Sequence, residues 1–134
     1  MLEQTRALYA ALAKALGVAS LPQDNDGAVA LTIGEDSQVL MYGEDDTTIL
    51  IVAPVAALPR RTDHGTVLWL LRRNFYDSDL APFCVAADTG GHVVLWGRIP
   101  VAGMTGELLA SLLDQLGTEA RRTREELGGE DDAA

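Results

Sequence analysis

The sequence predicts an α+β domain with a twisted antiparallel sheet, in the order α-β-β-β-α-β-β-α. Two leucine stripes at helical spacing, Leu8-Leu12-Leu16 near one end and Leu108-Leu109-Leu112-Leu113-Leu116 near the other, bracket the chain. Between them lie short apolar runs (28–33, 38–42 and 47–53) separated by four-residue turn signals. Links that short join antiparallel neighbours, because parallel strands need a crossover of about a dozen residues. With 134 residues, 48% of them apolar, the chain is expected to form one domain over residues 1–127 and an acidic, disordered tail over 128–134.

The first helix is expected over 3–16, stopped by Gly17 in a left-handed cap with Val18 as its apolar contact. Leu21-Pro22 leaves the helix and Asp24-Asn25-Asp26-Gly27 turns the chain. Gly34-Glu35-Asp36-Ser37 and Gly43-Glu44-Asp45-Asp46 then separate the three strands of a meander, and Pro54 and Pro59 bracket a connector that cannot extend the ladder. Helix two starts at Thr62 or Asp63, a good N-cap, and runs to about Asn74. Residues 83–87 and 92–96 read as a hairpin around Asp88-Thr89-Gly90-Gly91. The last helix begins at Thr105, with Glu107 near its positive end. Gly117 marks a kink or stop, Arg121–Glu125 and Arg122–Glu126 fall four residues apart if the helix continues, and Gly128-Gly129 ends it.

Composition narrows function. Twenty Asp and Glu against ten Lys and Arg give a net charge of −10. Such a chain repels phosphate backbones and anionic lipid, so neither nucleic-acid binding nor membrane insertion is expected. The N-terminal stretch reads as an amphipathic helix and not as a signal peptide. Cys84 stands alone, as suits a reducing cytosol, and reads as a small buried hydrophobe. His64 and His92 have no carboxylate or thiol at metal-ligand spacing. Glu35-Asp36, Glu44-Asp45-Asp46 and Asp88 sit at wet turn tips that offer no burial to separate their pKa values. No catalytic residue, metal site or cofactor is expected.

Two apolar excesses remain. Helix two carries Val67-Leu68-Trp69-Leu70-Leu71; Val67, Leu71 and Phe75 share one side, and Trp69 lies nearly opposite Leu71 between arginines. If one side packs on the domain's own sheet, the indole faces either a partner subunit or its own sheet under arginine stems. Four-residue turns would pair Ile33 with Gln38, Leu31 with Leu40, and Leu40 with Ile49. That register puts Ala30, Thr32, Val39, Met41, Leu50 and Val52 on the face away from the core. The face is apolar where an ordinary sheet would be charged, so either another helix covers it or it binds apolar side chains of another chain.

LYAALAKALG near the start, LWLLRRNF in helix two, VAADTGGHVVLWGRIP and the leucine-rich last helix together resemble the class I chaperones of type III secretion systems, the Tir and Yop effector chaperones. The resemblance covers about residues 1–127. It departs at 54–61 and 75–82, which are idiosyncratic, and at Gly117. It implies a cytosolic, ATP-independent chaperone without enzymatic activity, acting as a homodimer built through helix two and the nearby strand, with Leu68, Trp69, Arg72 and Phe83 as interface candidates. It also implies that the N-terminal segment of a secreted effector wraps the dimer in extended form. Tyr9, Val39, Met41, Leu50 and Val52 are then the candidates for effector contact. Ordering about 50 effector residues costs on the order of 50 kcal/mol of backbone entropy. At roughly 25 cal/mol per Å², about 2,000 Å² of buried apolar surface offsets that cost, which suits grooves and strand edges better than one pocket. A regulatory or protein-interaction module of the same architecture, without a secreted client, is the alternative.

Overall fold

A computed structural model describes residues 3–23, 28–34, 37–45, 47–59 and 61–133; the side chains of Glu44 and of residues 129–133 lie outside that description. The expected turn at 24–27, the acidic pair 35–36 and Asp46 also fall outside it.

The elements are α1 (Glu3–Leu16), β1 (Val29–Ile33), β2 (Ser37–Asp45), β3 (Thr48–Ala57), α2 (His64–Arg72), β4 (Cys84–Ala87), β5 (His92–Pro100) and α3 (Gly106–Ala133). The order is the expected one. All five strands form a single antiparallel sheet, β1-β2-β3-β5-β4, so β1 and β4 are its edges.

Local chemistry sets the helix ends. Gly17 takes φ +76°; its N–H reaches the Lys14 carbonyl at 3.1 Å and the Val18 N–H reaches the Ala13 carbonyl at 2.9 Å, which satisfies two orphan carbonyls. The Asp63 carboxylate accepts the Thr66 N–H at 2.7 Å and caps α2. The Thr105 hydroxyl accepts the Leu108 N–H at 3.0 Å and caps α3. α3 passes unbroken through Gly117 and continues to Ala133, beyond the stop expected at Gly128-Gly129. A glycine's cost of about 1 kcal/mol does not end a long helix whose inner face is packed.

The core lies between one sheet face and α1 and α3. Leu8, Tyr9, Leu12 and Ala13 of α1 meet Leu109, Leu113, Leu116, Ala120 and Leu127 of α3 and Val29, Val39, Met41, Ile49, Ile51 and Leu95 of the sheet. Leu16 and Leu108, expected in the two stripes, are exposed: Leu16 is the last residue of α1, beyond the buried Leu8 and Leu12, and Leu108 stands beside the buried row Leu109, Leu113 and Leu116. Two glycines allow the close packing. A Cβ on Gly106 would overlap the Ala11 carbonyl of α1, and a Cβ on Gly117 would stand 2.7 Å from Ile33 Cγ2.

The register corrects the sequence reading in one strand. Ile33 pairs with Ser37, Leu31 with Val39 and Val29 with Met41. β2 meets β3 as Leu40↔Val52 and Tyr42↔Leu50, with a bulge between Gly43 and Asp45. The expected faces of β1 and β3 hold, and those of β2 are exchanged, because a one-residue change in pairing turns every side chain over. β3 also runs through Pro54, where a second bulge between Pro54 and Ala56 accommodates the missing donor.

Candidate interaction surfaces

The register places one apolar row across the whole sheet on the face turned away from the core: Ala30, Leu40, Val52, Trp96 and Cys84. Tyr42, Leu50 and Arg98 form the next row, and Pro54, Val94 and Ala86 the one on the other side. Leu40, Leu50, Val52, Val94, Trp96 and Cys84 are half-buried and Tyr42 is exposed. The core residues of the sheet alternate with these along every central strand, so α1 and α3 cover the opposite face. The Arg98 guanidinium lies over the Trp96 ring at 5.3 Å, a cation held on an otherwise apolar surface.

Leu50 and Val52 stand on this uncovered face, as the sequence reading expects. Val39 and Met41 do not: both are fully buried under the helices, because β2 presents its other side. Tyr9 is buried too, on the core side of α1. Its hydroxyl meets no hydrogen-bond partner among the described residues, and burial pushes its pKa up to about 12. The face instead gains Leu40 and Tyr42, which a correct β2 register would have disclosed, and Trp96, which the pairing of β5 with β3 places beside Val52.

α2 carries the second surface. Thr66 and Leu70 turn inward, with Arg73 at the C-cap, while Val67, Leu71 and Phe75 are exposed, Leu71 and Phe75 at 59% each, and Tyr76 follows at 80%. Spacing had grouped Val67, Leu71 and Phe75, but the structure turns that side to solvent and Trp69 toward the core. An apolar cleft between α2 and β4 is lined by Leu58, Val67, Leu71, Val85 and Ala86 among others. Leu68 is half-buried and Arg72 exposed, and both border a hollow with Leu71 and Phe75. Phe83 is buried at 2% and packs beneath Gly97, whose Cβ would stand 3.0 Å from the Phe83 ring, so it offers a partner no surface.

The rotation of α2 has a physical cause. Arg73 stacks over the Trp69 ring at 4.7 Å and pairs with Glu119 of α3, Nη2 to Oε1, at 3.1 Å. It also donates to the Thr123 hydroxyl and, at 3.4 Å, to the Glu119 carbonyl. Arg122 closes on the second Glu119 oxygen at 3.4 Å, so Arg122 turns back to Glu119. Burial lowers the Arg73 pKa, opposed by the Glu119 hydrogen bond and charge. Beyond α2, Ser78 Oγ donates to the Arg73 carbonyl at 2.6 Å, and Gln115 Nε2 donates to the Asp79 and Ala81 carbonyls at 2.9 Å each. These bonds order the idiosyncratic segment 75–82. A sign of the buried pair lay in the sequence: Thr66-Leu70-Arg73 and Leu116-Glu119-Thr123 share helical faces with core residues.

The remaining polar residues organise turns. Asp88 Oδ1 accepts the Gly90 and His92 N–H groups at 2.9 Å each and stands 3.3 Å from His92 Nδ1. Among the described residues, no three His, Cys, Asp or Glu side chains gather as metal ligands, and no helix is long and apolar enough to cross a membrane.

Comparisons with known proteins follow the same architecture. The fold is similar to a chain of the heterodimeric ExoU–SpcU complex from the type III secretion system of Pseudomonas aeruginosa, with a TM-score of 0.76, 29% identity, and 90% of this chain and 97% of that one covered. It is similar in fold to a chain of the Yersinia pestis type III secretion chaperone SycH in complex with a stable fragment of YscM2 (TM-score 0.73, 21% identity, 88% and 98% covered). It is similar in fold also to a chain of the HopA1–SchA chaperone–effector complex (TM-score 0.74, 14% identity, 91% and 94% covered). Among curated proteins, none matches the sequence. A model of the Tir chaperone protein (CesT) family matches residues 8–124, nearly the whole domain, and the chain belongs to that family.

Proposed function

We propose that this protein is a cytoplasmic, non-enzymatic type III secretion chaperone that works as a homodimer of a single domain over residues 1–127. It holds the N-terminal region of a secreted effector soluble and competent for export. The observation that carries this reading is the apolar outer face, which crosses all five strands with no helix over it among the described residues. A monomer that left such a face and the exposed side of α2 bare would aggregate, so other polypeptides cover them. The family and the structural neighbours support effector as client and a second protomer as partner.

Leu40, Tyr42, Leu50, Val52 and Trp96 form the client-facing set, and Val67, Leu68, Leu71, Arg72 and Phe75 the dimer-facing set. Net charge of −10 keeps a protein with two such patches soluble. The test is co-expression with the open reading frames that adjoin its gene, followed by co-purification. Val52→Asp is expected to remain dimeric and lose the client, and Leu71→Asp to give monomers or insoluble protein. A folded Val52→Asp variant that recovers the client in full, or a dimeric Leu71→Asp variant, overturns the corresponding assignment.

A further inference from the structure

An edge strand offers a row of unpaired N–H and C=O groups to any extended chain that approaches it. The two edges of this sheet differ. Along β1, the pairing on the outer side among the described residues is a single bridge, Gln23↔Val29. Along β4, a side chain occupies the edge. Asn74 Oδ1 accepts the Val85 N–H at 2.5 Å, and Asn74 Nδ2 donates to the Val85 carbonyl at 3.0 Å. A primary amide presents the donor and acceptor of a peptide group, so Asn74 imitates one residue of a neighbouring strand. In an antiparallel pair, alternate residues turn both main-chain groups to the same side, so Val85 and Ala87 carry the outward-directed groups of this four-residue strand, and Asn74 occupies both of those on Val85.

The plug is firmly mounted. Asn74 directly follows Arg73, which is buried against Glu119 and Thr123 of α3. The Asn74 N–H is itself bonded to the Leu71 carbonyl at 3.0 Å. The residue is exposed, so it stands where an incoming strand would have to lie.

We propose that Asn74 closes the β4 edge against strand addition, above all by the β4 edge of a second copy of this chain. The copies then meet through side chains of α2 and not by fusing their sheets. The plug stands or falls independently of the client.

The test uses the full chain and two variants. Asn74→Ala removes both bonds from an exposed position. Asn74→Asp loses the donor as well but sets a carboxylate on the edge, and an edge charge is itself a barrier to pairing. In dilute solution the Val85 amide of Asn74→Ala is expected to exchange with deuterium about tenfold faster than in the parent, the loss of one hydrogen bond. At rising concentration, sedimentation velocity is expected to show Asn74→Ala in species larger than the parent's, and Asn74→Asp at the parent's size. Unchanged Val85 exchange overturns the proposal, and so does faster exchange without association. Equal association of both variants overturns it too, because lost stability and not an opened edge would then be the cause.

Discussion

Replacing Arg73 with Met isolates the interaction that sets the orientation of α2. The substitution keeps a long unbranched stem but removes the 3.1 Å ion pair with Glu119, the bonds to the Glu119 carbonyl and Thr123 hydroxyl, and the stacking on Trp69. Glu119, whose side chain is 5% exposed, is left with Arg122 at 3.4 Å. Stranding one member of a buried pair costs about 3–5 kcal/mol. Arg122 reaches in from solvent and offsets part of that, since a half-exposed pair contributes at most about 1 kcal/mol. The expected net loss is therefore about 2–4 kcal/mol, or roughly 10 °C in Tm for a domain of this size. Urea denaturation at fixed protomer concentration measures it, because self-association would otherwise alter the apparent stability. The double variant Arg73→Met/Glu119→Leu should regain most of the loss, as apolar replacement of both partners strands no charge. A single variant within about 1 kcal/mol of the parent, or a double variant as unstable as the sum of its singles, would refute the buried-pair reasoning.

Three further outcomes follow from the packing. Gly117→Ala should lower stability by about 1 kcal/mol, because overpacking against Ile33 outweighs the gain in helix propensity, and Gly106→Ala should cost more, since a backbone carbonyl stands in its way. Gly128→Ala, with nothing within 4 Å, should stabilise, and thermal melts that rank the three otherwise dispose of the close-approach account. Tyr9→Phe should raise stability by about 1 kcal/mol, because its buried hydroxyl has no partner among the described residues; a drop in Tm would mean that a partner exists. Hydrogen bonds from the Thr66 N–H and hydroxyl hold the Asp63 carboxyl below its ordinary pKa. Its contribution is therefore full above the unfolded carboxylate pKa of about 4 and fades as pH falls through the lower folded value. Asn caps as Asp does but cannot titrate, so Asp63→Asn should flatten the acid limb of stability against pH; an unchanged slope would clear Asp63 of that role.

Leucine spacing, capping residues and turn lengths determined the element order, the antiparallel sheet, and the existence of two apolar excesses beyond the core. These are local properties: a cap such as Thr105 or a left-handed Gly17 acts within one turn of helix. Which side of each element met the core was decided by tertiary structure. β2 is the plain case. Val39-Leu40-Met41-Tyr42 is apolar on both sides, so its pattern could not choose a face, and a loop one residue shorter than expected turned Met41 inward and Leu40 outward. In α2, helical spacing left Trp69 between a partner subunit and its own sheet, and Arg73, by pairing with Glu119 46 residues away, drew the indole inward and turned Leu71 to solvent. Gly117 read as a kink because its propensity is poor, yet its missing Cβ is what lets α3 lie close to Ile33. Periodicity specifies how many faces an element has; contacts between elements distant in sequence select the one that is buried.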